Sequence, residues 1–177
     1  MTGIPEKMHV LHRALTDAEL PHAFGGALAL AWCTQRARGT IDIDLNVFVG
    51  TERTTTVLEA LPPEVAWTRA DARRIERDGQ ERLWWDGTPV DLFLNTTEFH
   101  ERAAARARWE DFDGEPLPFL ACSDLAVFKA FFNRTKDWAD LEEMQAAGSL
   151  DLDLVTGVLV RLLGADDPRV ARLQTLG

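Results

Sequence analysis

Apolar positions recur at helical spacing near the start of the chain. Met8, Leu11, Leu15 and Ala18 predict an amphipathic helix over residues 5–20, stopped by Pro21. His22–Phe24 reads as a short strand, and Gly25-Gly26 breaks the pattern before a small apolar helix over residues 27–35. Then Ile41, Ile43, Leu45, Val47 and Val49 alternate with Asp42, Asp44, Asn46 and Phe48, which predicts a strand over residues 41–49. Residues 51–62 read as a helix ended by Pro62-Pro63, 64–68 as a candidate strand, and 70–79 as a short charged helix or turn. Two strand-like runs, 81–85 and 88–95, flank Asp86-Gly87, a strong hairpin signal. Residues 97–108 read as helical, and 110–114 with 116–120 suggest a second, smaller hairpin. Ser123 is the expected N-cap of a helix reaching Arg134. A further helix over 136–148 stops at Gly148, and residues 153–163 and 168–176 read as two closing helices. The expected fold class is α/β, of the α+β kind. It has a small mixed β-sheet core flanked by helices over residues 1–121, with a helical part over 122–177 packed on it.

Composition narrows this picture without redirecting it. With 46% hydrophobic and 27% charged residues in 177, the chain reads as a globular protein, not a disordered one. No apolar run approaches the roughly 18 residues a membrane span needs. The N-terminus lacks a basic start followed by an apolar stretch, so no signal peptide is expected and the expected location is cytoplasmic. Cys33 and Cys122 lack metal-ligand spacing and are expected to be reduced, buried thiols. A net charge of −10 opposes non-specific binding to nucleic acid, so an RNA substrate would need a local basic face.

The candidate chemistry is acidic. Asp42 and Asp44 are two apart on the expected strand, so both carboxylates project from one face. Side by side they repel unless they face water or share a cation. Asp91 sits within the run Thr88–Asn95, opposite the apolar face made by Val90, Leu92 and Leu94. If that strand pairs beside Asp42 and Asp44, three carboxylates converge, an oxygen-rich set suited to Mg²⁺ or Mn²⁺. A calcium loop is excluded, because Asp42-Ile-Asp-Leu-Asn46 has apolar spacers and lacks the glycine and closing glutamate.

These residues resemble the DNA polymerase β-like nucleotidyltransferase superfamily. The resemblance lies in Gly25-Gly26, a short helix, and Arg38-Gly-Thr-Ile-Asp-Ile-Asp-Leu45. That last form, and the later Lys129 with Arg134-Thr-Lys-Asp-Trp-Ala-Asp-Leu141, are similar to the AbiEii-like toxin branch. The resemblance implies a nucleotidyltransferase core in residues 1–121 and a metal-dependent transfer of NMP from an NTP to an acceptor hydroxyl. It implies that Asp42, Asp44 and Asp91 bind metal, with Asp91 assisting as base. It implies that Gly25, Gly26, Arg38, Thr40, Lys129 and Asp137 serve the nucleotide. It also implies a toxin acting on an RNA, the tRNA 3′ end, under a cognate antitoxin protein. The alternatives are transfer to a small antibiotic of the aminoglycoside kind and a non-catalytic nucleotide-binding module.

Physical chemistry supports part of that carry-over. Glycine lets backbone N–H groups approach a phosphate, and the following helix adds its N-terminal dipole. Lys129 lies among Val127, Phe128, Phe131 and Phe132, so its charge either snorkels to solvent or reaches a polar site. Arg69, Arg73 and Arg77, with Arg74, form one basic cluster and Arg102, Arg106 and Arg108 a second. Each reads equally as an RNA grip or as a salt-bridged solvent face, since Asp71, Glu76, Asp78 and Glu101 are interleaved. His9 and His12 are expected on a wet helix face.

Overall fold

The computed structural model describes residues 3–177. The chain divides into two compact units, one of residues up to 26 with 39–120, the other of 27–38 with 121–177.

In the first unit, α1 (Ile4–Asp17) leads to β1 (His22–Phe24), and Gly25 turns the chain into α2 (Gly26–Thr34), most of which groups with the second unit. There follow β2 (Ile43–Gly50), α3 (Thr54–Ala60), β3 (Val65–Ala66), α4 (Arg69–Asp78), β4 (Gln80–Trp85), β5 (Thr88–Asn95), α5 (Glu98–Ala103), β6 (Arg108–Phe112) and β7 (Glu115–Phe119). Among the described residues the strands form one seven-stranded mixed sheet, ordered β3-β4-β5-β2-β1-β7-β6. β2 runs parallel to β5, and β1 to β7; the other pairs are antiparallel. The mixed α/β sheet expected from the sequence is thus present.

Period-two alternation sets which face is covered. Ile43, Leu45 and Val47 on β2 and Val90, Leu92 and Leu94 on β5 are all buried, while Asp44 and Asp91 on the other face are half-buried. Phe48 is buried as well, as expected of a central strand. The β4–β5 hairpin closes through Asp86 and Gly87, both at positive φ (45° and 78°), the two-residue turn whose twist matches its strands. Asp113 and Gly114 repeat this between β6 and β7, with φ 54° and 86°.

The first unit also corrects two expectations. β2 begins at Ile43, so Asp42 lies in the bend that leads into it, not on the strand. His9 is buried, not wet, and among the described residues neither ring nitrogen has a hydrogen-bond partner; its Nδ1 is 3.4 Å from Glu115 Oε2, an ion-pair distance without hydrogen-bond geometry. His12 Nδ1 lies 2.8 Å from His22 Nε2. The cause is that more of α1 is covered than its apolar stripe suggests. Even Lys7 is buried, its Nζ donating to the Trp85 carbonyl (2.7 Å) and to Thr88 Oγ1 (2.8 Å).

In the second unit, α6 (Cys122–Phe132), α7 (Thr135–Ala146), α8 (Leu152–Leu163) and α9 (Pro168–Gln174) follow α2. α6 packs on α7 and α8, and α8 on α9, around Ala126, Ala130, Trp138, Leu141, Met144, Val155, Leu159 and Leu173. Asn133, at φ 59°, ends α6 and accepts a 2.7 Å hydrogen bond from Trp138 Nε1. Ser123 is not the N-cap: α6 starts at Cys122, and Ala121 occupies the cap in extended conformation without a side-chain bond. Gly148, at φ +71°, follows the end of α7 as expected. Cys33 and Cys122 are not reduced thiols. They form a disulfide joining α2 to α6, with Cα atoms 5.6 Å apart. No helix among the described residues is long and apolar enough to cross a membrane.

Candidate active site

The first unit brings its acidic residues together through register. Asp44 on β2 is the Cα partner of Asp91 on β5, and Asp91 is the partner of Arg82 on β4. Asp44, Asp91 and Arg82 therefore lie in one row across three neighbouring strands. Asp42 stands just ahead of that row and is shaped by Thr40. The Thr40 hydroxyl is 2.7 Å from Asp42 Oδ1 and accepts the Asp42 N–H at 3.3 Å. Thr40, expected to serve the nucleotide, here orients a carboxylate.

The Gly25-Gly26 turn touches the same row. The Gly25 N–H donates to the Asp44 carbonyl at 2.9 Å. Gly26 has φ +58°, and a Cβ there would overlap the Asp44 carboxylate. Only glycine lets the turn and this carboxylate share the space. Asp44 thus rests against Gly26. Asn46, two residues on, supports the turn from the other side: a Cβ at Gly25 would stand 3.0 Å from Asn46 Nδ2. Asn46 Oδ1 lies 3.2 Å from His100 Nε2, and burial depresses the His100 pKa to about 4, so the ring is neutral.

Arg82 is the residue sequence reasoning missed. Its Nε donates to Asp91 Oδ1 and its Nη2 to Asp91 Oδ2, each at 2.7 Å, a bidentate fork. Nη2 is also 3.6 Å from Asp42 Oδ2. The hydrogen bonds to Asp91, and then the charges of Asp91, Asp42 and Asp44, raise the Arg82 pKa. The signal was in the hairpin: counting back from Asp86-Gly87 pairs residue 85 with 88 and so 82 with 91.

The donor set fits a hard divalent cation. All its side-chain donors are carboxylate oxygens, and Mg²⁺ binds through one or two of these plus substrate phosphates, keeping several waters. Among the described residues no group of three or more His, Cys, Asp or Glu side chains is arranged to hold a metal ion as it stands. Arg82 is the cation now among them.

The remaining expected site residues lie in the second unit and are engaged there. Lys129, buried on α6, donates to Asp140 Oδ2 at 2.6 Å and is 3.9 Å from Asp137 Oδ1. Arg38 pairs with Asp140 at 3.0 Å and with Glu143. Asp137 is fully buried and receives the Arg134 guanidinium and backbone N–H. Of the arginine clusters, Arg74 pairs with Asp71 and Glu81, Arg77 with Asp78, and Arg102 with Glu98.

No family model and no curated protein matches this chain. Its fold is similar to that of solved nucleotidyltransferase structures. The solution structure of the antibiotic-resistance factor ANT(2'')-Ia superimposes with a TM-score of 0.52 at 18% identity, over 97% of this chain and 89% of that one. The crystal structure of ANT(2'')-Ia in complex with adenylyl-2''-tobramycin gives 0.52 at 15%, over 94% of each chain. An antigenic nucleotidyltransferase-like protein from Paracoccidioides brasiliensis gives 0.51 at 13%, over 97% and 92%. At these identities the likeness is one of fold.

Proposed function

We propose that this chain is a metal-dependent nucleotidyltransferase that transfers NMP from an NTP to an acceptor hydroxyl and releases pyrophosphate. The observation that carries this reading is the Asp44–Asp91 row on parallel strands, with Asp44 seated against the Gly25-Gly26 turn. In the reaction the acceptor oxygen attacks the α-phosphorus, the bond to the β-phosphate oxygen breaks, and the acceptor proton passes to Asp91. Asp42, Asp44 and Asp91 would hold the divalent ion, and the turn at Gly26 would serve the phosphates. When bound, Mg²⁺ or Mn²⁺ supplies positive charge against the charge developing on the triphosphate. NTPs are intracellular substrates, which supports the expected cytoplasmic location. The Cys33–Cys122 disulfide pulls the other way, since such bonds are rare in reducing compartments.

For the acceptor we infer a small cationic polyol of the aminoglycoside kind. The net charge of −10 supports it. So does the pairing of Arg74, Arg77 and Arg102 with acidic neighbours, which takes up charge that an RNA backbone would need. The fold likeness to ANT(2'')-Ia, one of whose structures holds adenylyl-2''-tobramycin, points the same way.

The test is transfer from each α-labelled NTP, with Mg²⁺ or Mn²⁺, to an aminoglycoside panel and to total tRNA, with Asp44→Ala and Asp91→Asn alongside. Label on an aminoglycoside that folded variants fail to transfer supports the proposal. Label in tRNA would make the RNA end the acceptor and bring back the toxin reading with its antitoxin. Metal-dependent NTP binding without transfer to either acceptor would leave a nucleotide-binding module and overturn catalysis.

A further inference from the structure

We propose that Arg82 is the resting counter-ion of the carboxylate row and competes with the divalent cation for it. The inference rests on the reading of Asp42, Asp44 and Asp91 as metal ligands.

A row of carboxylates on one sheet face needs positive charge nearby or full exposure to water. Here Asp91 is only 19% exposed and Asp42 27%, so water alone does not serve them. The fork of Arg82 uses both oxygens of Asp91, the same atoms a metal would use. One nitrogen of that fork, Nη2, also leans toward Asp42, so one guanidinium spans the first and third carboxylates. Arginine cannot give up its proton, so the competition cannot be relieved by neutralising the cation. It must swing away. The side chain is 48% exposed and its strand position faces solvent, so an outward path is open.

Three consequences follow. The carboxylates stay fixed in the metal-free protein, which keeps Asp91 on the row. The free-metal concentration at which the site fills is set by Arg82, because the ion binds only the fraction of molecules in which the fork has let go. Asp91 likewise becomes available as a proton acceptor only after that release.

Mn²⁺ titration followed by electron paramagnetic resonance tests this on the full chain without nucleotide. Arg82→Gln should bind Mn²⁺ about tenfold more tightly than the native protein, a change of the size expected for removing one competing charge pair. Arg82→Lys, which keeps the charge but not the fork, should fall between the two. Asp91→Asn in the Arg82→Gln background should abolish the gain. If Arg82→Gln fails to fold by circular dichroism, Arg82→Lys carries the comparison alone. Native-like or weaker Mn²⁺ affinity in the folded Arg82 variants overturns the proposal, as does absence of millimolar Mn²⁺ binding in every variant. Loss of transfer together with an intact Mn²⁺ series would instead sink the proposed function and leave the role of Arg82 standing.

Discussion

Asp44 and Asp91 are Cα partners on adjacent parallel strands, 47 positions apart in sequence (91 − 44) and side by side on one sheet face. Parallel pairing places residues of equal register at the same height. The two carboxylates are therefore level by backbone geometry, and their alignment does not depend on a flexible loop.

Gly26 fixes the other coordinate of Asp44. Gly26→Ala should add strain at φ +58° and drive the Asp44 carboxylate aside. We expect about 1–2 kcal/mol of lost stability and transfer lowered by about 100-fold. Gly25→Ala meets the ends of Asn46 and Leu120 side chains at 3.0 and 3.2 Å, which can shift, and should cost far less in rate. Equal rates for the two variants in the labelled-NTP assay would show that the turn does not set Asp44.

Lys129 is bound into a cluster with Asp137 and Asp140 inside the helical unit. Lys129→Met leaves both carboxylates short of a cation, with Arg38 and Arg134 as partial replacements. The expected loss is about 3 kcal/mol, or roughly 6–12 °C in Tm for a chain of this size. An unchanged Tm with a raised KM for NTP would instead favour the nucleotide contact that the sequence resemblance implies.

Stability should fall as the solution is acidified. Burial holds the pKa of both His22 and His100 at about 4, below the ordinary value of 6.5. Between those values the unfolded chain takes up protons that the folded chain refuses, so acidification from pH 6.5 to 4 favours unfolding. Each ring contributes about 3 kcal/mol across that window. Calorimetry at pH 7, 6 and 5 should show a steadily falling Tm, with a shallower fall in His100→Asn. A flat profile would contradict the burial of these rings.

Local pattern carried much of this structure. Alternation along residues 41–49 and 88–95 located β2 and β5 and told which side of each was covered, because strand periodicity is a property of neighbours in sequence. The Asp86-Gly87 turn located the hairpin, and the register it dictates contained the Arg82–Asp91 pair. What lay hidden is non-local. Nothing in the spacing of Cys33 and Cys122 announces a bond across 89 residues, nor that residues 27–38 group with the C-terminal helices. Polarity alone misjudged His9, whose burial, like that of Lys7, depends on what covers α1. Lys129 matched a motif, yet its charge is already engaged by Asp140, a partner 11 residues away that a motif does not weigh.

The Cys33–Cys122 bond also has a meaning for connectivity. It closes a covalent ring that contains all of residues 39–120, so β2 through β7 form a cassette spliced between two cysteines of the helical unit. A single cut anywhere in that cassette opens the ring but leaves one covalently joined molecule. The points where the cassette departs and returns stay leashed to each other whatever its own state of folding.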